Sequence, residues 1–443
     1  MISFRRTLFQ FFAEISDFYS RDYILEENRF VRNRKMSFND HINYILIQEG
    51  CTSYIEALKF MKLSKKGKFK SITSQAIGKQ RMNISPNLFK DMHESFLDKI
   101  YLESYGMFKT KGFMVAACDG SIFDLPNFKI THEEFPSCGE NLLKYNKTGA
   151  RVSCFLDVSS KLILNIKIAD RSINEISLAK QQLTELKEHF DLGKLITIYD
   201  RGYNSIELMM KTEDLGSKYL IRLKSNTFKK QINKMKTNDE IISFNINNTI
   251  LNRFEDEKLK EKAGAMGRFH LRIVKVKLKN GTTEILATNL THEEFSSEEL
   301  KELYAKRWTV ETGFDRLKNL VEIEEFSGNR RRIIEQDFYA HIFIYNLAIV
   351  LKFEAEQKIT RKTREKGVII EYYCNFSRLL GNIYSFFYEL LTAPIDEKKL
   401  IFDFLIEQGS KELTQVNQSK NCQKERKTRY SNNKHPGNKK RTH

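Results

Sequence analysis

The chain has 443 residues, 41% of them hydrophobic, which is enough for two or three domains with real cores. No run nears the roughly 18 consecutive apolar residues of a bilayer span, and the first segment, MISFRRTLFQFFAEISDF, lacks a clean apolar stretch with a cleavage site, so a cytoplasmic protein with no membrane role is expected. A formal net charge of +17, spread along the whole chain, points to a nucleic-acid partner rather than a membrane surface, and six scattered cysteines (Cys51, Cys118, Cys138, Cys154, Cys374, Cys422) argue against a disulfide framework or a zinc site.

Residues 1–108 are predicted helical: apolar residues recur at three and four in HINYILIQEG, YIEALKFMKL and LFKDMHESFLDKIYLESY. Between them Lys65, Lys66, Lys68 and Lys70 lead into a short helix, SQAIGKQRM, with Thr73 or Ser74 as its N-cap. Small residues running into Lys79, Gln80 and Arg81 suit a recognition helix in a major groove, the plain alternative being a solvated basic helix.

Near Lys111 the period changes to that of strands. GFMVAACDGS is an apolar run ending in Asp-Gly, and ARVSCFLDV and KLILNIKIAD read as a hairpin turning at Ser159 and Ser160. Ile173 to His189 is an amphipathic helix, KLITIYDRGY a second apolar run, SIELMMKTEDLG a helix closing at Gly216, and KYLIRLK a further strand. Strands linked by helices in this way imply parallel neighbours within one mixed sheet. Residues 225–290 are polar and strand-like (IISFNINNTILNRF, then FHLRIVKVKLKNGTTEILATNL), with Asn280-Gly281 predicting a hairpin.

LYAKRWTVETGFDRLKNLV, residues 303–321, reads as one helix. Leu303, Val310, Phe314 and Leu317 form its core-facing stripe, while Tyr304, Arg307, Glu311 and Lys318 fall inside an arc of roughly 60°. After Gly328 the chain is helical again, and residues 409–443 form a cationic tail expected to be disordered. The division is a helical DNA-binding region over 1–108, an α/β core over 109–330 with its insertion, a helical C-terminal region over 331–408 and the tail.

Asp119 ends one apolar run and Asp200 another. If those strands lie parallel and side by side, both carboxylates emerge at the carboxyl edge, where open α/β sheets bind ligands, and Glu311 joins them from the helix. Crowded carboxylates need a cation. Three of them with open positions describe a hard-metal site, such as two Mg²⁺ ions about 3.5–4 Å apart clamping the oxygens of a phosphodiester. Asp119-Gly120 and Asp200-Arg201-Gly202 are also ordinary turn formers.

CDGSIFDLP, YDRGY and Y-x2-R-x3-E-x6-K, the last matched by Tyr304, Arg307, Glu311 and Lys318, resemble the acidic motifs of the DDE transposases of bacterial insertion sequences, in the cut-and-paste subgroup with a YREK signature. The resemblance implies an RNase H-like core of strand order 3-2-1-4-5 with a β-strand insertion, flanked by helical regions. It also implies two divalent ions, Mg²⁺ or Mn²⁺, held by Asp119, Asp200 and Glu311, with Arg307, Lys318 and Tyr304 on phosphates. Implied too are a homodimer assembled on transposon ends and target DNA, and a hairpin intermediate. Relatives hold a flipped base on an aromatic side chain of the insertion; here the insertion has no Trp, so Phe244 or Phe254 would serve, and Trp308 is assigned to packing. A nuclease that does not transpose, and a DNA-binding protein with structural acids, remain alternatives.

Overall fold

The computed structural model describes residues 4–32, 35–65, 72–103, 107–136, 148–278, 281–365 and 372–415. Lys66, Lys68, Lys70, Cys138, the Lys279-Asn280 half of the predicted turn, Cys422 and the tail beyond Gln415 lie outside the described residues. The chain divides into two compact units. A core unit takes Tyr105–Phe123 and Gly149–Arg316, and a helical unit takes Met1–Ser104, Asp124–Thr148 and Leu317–His443.

The core unit is built on a nine-stranded mixed sheet. Its strands are β1 (Lys109–Thr110), β2 (Phe113–Asp124), β3 (Gly149–Asp157), β4 (Ile163–Asp170), β5 (Leu195–Tyr199), β6 (Lys218–Arg222), β7 (Asp239–Asn245), β8 (Arg268–Lys277) and β9 (Thr283–Thr288). They lie in the order β4-β3-β2-β5-β6-β9-β8-β7, with β1 beside β2. The first five positions of that row are the 3-2-1-4-5 order expected of an RNase H-like core. Phe113–Cys118 and all of β5 are buried, as central parallel strands covered on both faces must be.

Local chemistry sets each connection. Asp157 ties the β3–β4 turn by accepting from Ser159 N and Ser160 Oγ, both at 2.8 Å. Asn174 caps the helix Glu175–Leu186 that leads to β5, and Ser205 caps the helix Ile206–Asp214 that leads to β6. Gly216, at φ +76, turns the chain after that second helix, a conformation that favours glycine. The insertion is part of the same sheet, since β9 pairs antiparallel with β6 and β8 carries the row outward. The predicted β8–β9 hairpin forms. IISFNINNTILNRF, expected to be strand throughout, leaves β7 at Asn245 and turns into the helix Asn248–Leu251; another helix, Glu257–Met266, follows. Asn247 and Asp256 cap those helices, which is side-chain chemistry that competes with a ladder.

In the helical unit the long helix Arg331–Glu365 is the hub. Its segment Arg331–Thr360 is apolar and long enough to cross a membrane, yet 83% of the apolar 18-residue window within it is buried, as in a core helix. Its Phe343 meets Phe11 and Phe387 in a cluster that also takes in Phe12, Phe96 and Phe402, drawn from both ends of the sequence. The helical stretches 1–108 and 331–408 thus share one unit. The expected tail is ordered over its first residues: the helix Ile395–Lys411 runs into it, and β11 (Leu413–Gln415) pairs with β10 (Tyr372–Cys374).

Candidate active site

β2 and β5 run parallel, paired from Met114 with Leu195 to Cys118 with Tyr199. Asp119 and Asp200 each follow the last pair by one residue, so the register sets them side by side on one face. Asp119 does not end its strand, which continues to Asp124; it ends the buried half, where β2 passes from covered to half-exposed. Asp119 Oδ1 accepts from Gly120 N at 2.9 Å, and Asp200 accepts from Gly202 N as the cap of the short helical turn Arg201–Tyr203.

The stretch read as one helix is two, Ser297–Ala305 and Trp308–Asn319. The break comes through i→i−3 bonds, with Lys306 N donating to Leu303 O and Arg307 N to Tyr304 O. The apolar stripe continues across it, so the periodicity conceals it. Both pieces are anchored. Buried Arg272 on β8 is 2.7 Å from Asp239 and donates to the carbonyls of Leu290, Thr291 and Phe295, which fixes the approach to the first helix. In the second helix, Phe314 packs edge-on to Phe123. Gly313 lies so near the sheet that a Cβ there would sit 2.6 Å from Leu156 Cδ1.

That anchoring brings Arg307 between two acids. Its Nη2 donates to Glu311 Oε1 at 2.8 Å, and its Nη1 stands 3.7 Å from Asp119 Oδ2. Burial pushes the Asp119 carboxyl up to about 6. The Gly120 N–H and the Arg307 charge oppose that rise, while the like charges of Asp200 and Glu311 add to it. Burial also works against the Arg307 charge, but its bond to Glu311 and the surrounding negative groups hold it above the usual arginine value. Tyr304 is 7% exposed; its hydroxyl finds no hydrogen-bond partner, and burial raises it to about 12.

A ready-made metal cage is not what these acids form. Among the described residues, no three His, Cys, Asp or Glu are gathered so as to hold a metal ion. The reason is electrostatic: without another cation the carboxylates repel, and Arg307 pairs with two of them. The donor set nevertheless suits a hard divalent ion, being carboxylate oxygen throughout, with a half-buried Asp119 whose ionised form lacks sufficient positive charge nearby.

Most of the other expected site residues have protein partners of their own. Lys318, two turns beyond Glu311, belongs to the helical unit and lies 3.4 Å from Glu324. Arg81 is no reader of DNA bases. It is 2% exposed, paired with Asp337 at 2.6 Å, and donates to Gln336 Oε1 at 3.0 Å and to Ser327 Oγ. Its neighbour Lys79 is exposed and Gln80 half-buried, on a helix capped by Thr73. Phe244 and Phe254 are buried, Phe244 stacked on Phe228 at 4.4 Å, so neither is free to hold a base. Trp308, assigned to packing, is 61% exposed, with the Arg307 guanidinium 5.0 Å from its ring centroid. One acid escaped the sequence reading. Glu175, paired with Arg151, rests against the backbone of Gly120, a contact that no spacing within a motif announces.

A family model described as the transposase DDE domain matches residues 114–347. The transposase InsG for insertion sequence element IS4 of Escherichia coli (strain K12) is 20% identical over 242 residues, which is 53% of this chain and 51% of that protein; the chain therefore spans about half the length of the curated relative it matches. Among solved structures, the piggyBac transposase synaptic complex with hairpin DNA overlaps 94% of this chain and 86% of its own at a TM-score of 0.42 and 13% identity.

Proposed function

Since the chain belongs to the family of transposase DDE domains, we propose that it cuts the ends of its own insertion sequence and joins them to target DNA, using Asp119, Asp200 and Glu311. One observation carries this reading: two aspartates at the same level of adjacent parallel strands, with a helix-borne glutamate linked to one of them through Arg307. Two divalent ions held by the three carboxylates, Mg²⁺ or Mn²⁺, would supply an activated water and stabilise a leaving oxygen in displacement at phosphorus.

The chain's own side chains do the positioning. Arg307 offers a planar fork matched to phosphate oxygens, once these compete with Glu311 for it. Tyr304 holds a buried hydroxyl without an acceptor, which a phosphate oxygen would satisfy. Lys318, 3.4 Å from Glu324 within the helical unit, is a further candidate for a phosphate of the strand. Cleavage of both strands at one site suits a hairpin intermediate, and two ends held at once suit a homodimer on DNA at the nucleoid. The surplus of 17 positive charges supports polyanion binding, with Lys79 and Gln80 as candidate contacts.

The test is incubation of the full chain with duplexes carrying the element's ends, in Mg²⁺ or Mn²⁺, followed by separation of nicked, hairpin and joined products. Joined products are expected, lost in Asp119→Ala, Asp200→Ala or Glu311→Ala while end binding persists. Nicking without joining would favour a nuclease; tight binding with no cleavage would favour structural acids.

A further inference from the structure

The helix Glu175–Leu186 opens with a carboxylate lying against the residue after Asp119. A Cβ on Gly120 would be 2.8 Å from Glu175 Cδ and 2.9 Å from its Oε1, so a side chain there would push the carboxylate aside. Arg151 on β3 donates through Nη1 to Glu175 Oε1 and through Nη2 to Arg171 O at 3.3 Å, leaving its buried Nε without a partner. Arg151 therefore does for Glu175 what Arg307 does for Asp119 and Glu311.

Tyr203 locates the acids more closely. It is 1% exposed and, the Cys118 thiol apart, its hydroxyl has no hydrogen-bond partner. Burial chiefly holds that hydroxyl protonated, and the charges of Cys118, Glu175 and Asp119 act on it too. Glu175 and Asp119 thus act through their charge on one buried polar atom. Asp119, Glu175, Asp200 and Glu311 set four negative charges against the two positive ones of Arg151 and Arg307.

We propose that Glu175 is a fourth acid of this site, which binds a divalent cation together with Asp119 once Arg151 releases it. The inference rests on the reading that Asp119, Asp200 and Glu311 bind such ions. The probe is Mn²⁺ added to the metal-free full chain, with free Mn²⁺ read by electron paramagnetic resonance and folding checked by thermal unfolding. Glu175→Gln should weaken the site's Mn²⁺ binding about tenfold or more, with Glu175→Asp restoring part of it. Arg151→Gln removes the competing cation and should tighten binding, an effect that misfolding cannot imitate. Unchanged binding in Glu175→Gln beside lost binding in Asp119→Asn overturns the fourth acid and leaves the three-acid reading intact. Unchanged binding in Asp119→Asn as well overturns that reading and the proposal with it.

Discussion

Asp119→Asn should make the metal-free protein more stable at neutral pH, at the expense of its chemistry. The Asp119 carboxyl sits at about 6 against an ordinary 3.8, chiefly because of burial. A gap of about two units corresponds to about 3 kcal/mol, at 1.36 kcal/mol per unit. Because the folded state binds the proton more tightly than the unfolded state, this contribution favours folding below about pH 4 and is lost as pH rises through about 6. Asparagine carries no charge to bury, can still accept from Gly120 N, and leaves Arg307 its partner Glu311. The variant should therefore gain about 1–3 kcal/mol at pH 7 and match the parent near pH 4. Urea unfolding of chelator-treated protein from pH 4 to 8 measures this, with Trp308, the only tryptophan, reporting from the core unit. A variant less stable at pH 7, or a difference that stays flat between pH 4 and 6, would refute the burial argument. Added Mn²⁺ should reverse the order, stabilising the parent more than the variant.

Arg81→Ala leaves Asp337 buried without its cation and should cost about 3–5 kcal/mol in the same unfolding assay, whereas exposed Lys79→Ala should stay within about 0.5 kcal/mol. Tyr304→Phe removes a buried hydroxyl that has no acceptor, so stability should hold or rise by up to about 1 kcal/mol while end complexes weaken; a clear loss of stability would mean the hydroxyl has a partner. Lys318→Ala should lower the salt slope of end binding by about one and change stability by less than about 1 kcal/mol; an unchanged slope would remove it from the phosphate contacts.

The placing of the two aspartates was legible because a buried parallel strand is largely apolar and stops being so where it emerges; Val115–Cys118 before Asp119 and Ile196–Tyr199 before Asp200 say so directly. Glu311 was legible from its motif. The break before Trp308 was not, because Leu303, Val310 and Phe314 keep a helical period across it. Arg81 misled because a cation on a short basic helix reads as solvated until a partner 256 residues away is brought against it. Glu175 was hidden for a related reason, since its tie to Asp119 runs through the missing side chain of Gly120.

The spacing of the two aspartates is a property of the main chain. Deleting one residue from Leu195–Tyr199 would swing Asp200 to the opposite side of the sheet, whereas lengthening the outlying hairpin of β8 and β9 would leave it untouched. Any descendant of this chain is thus free to remodel its margins and bound, at two short strands, to count its residues without error.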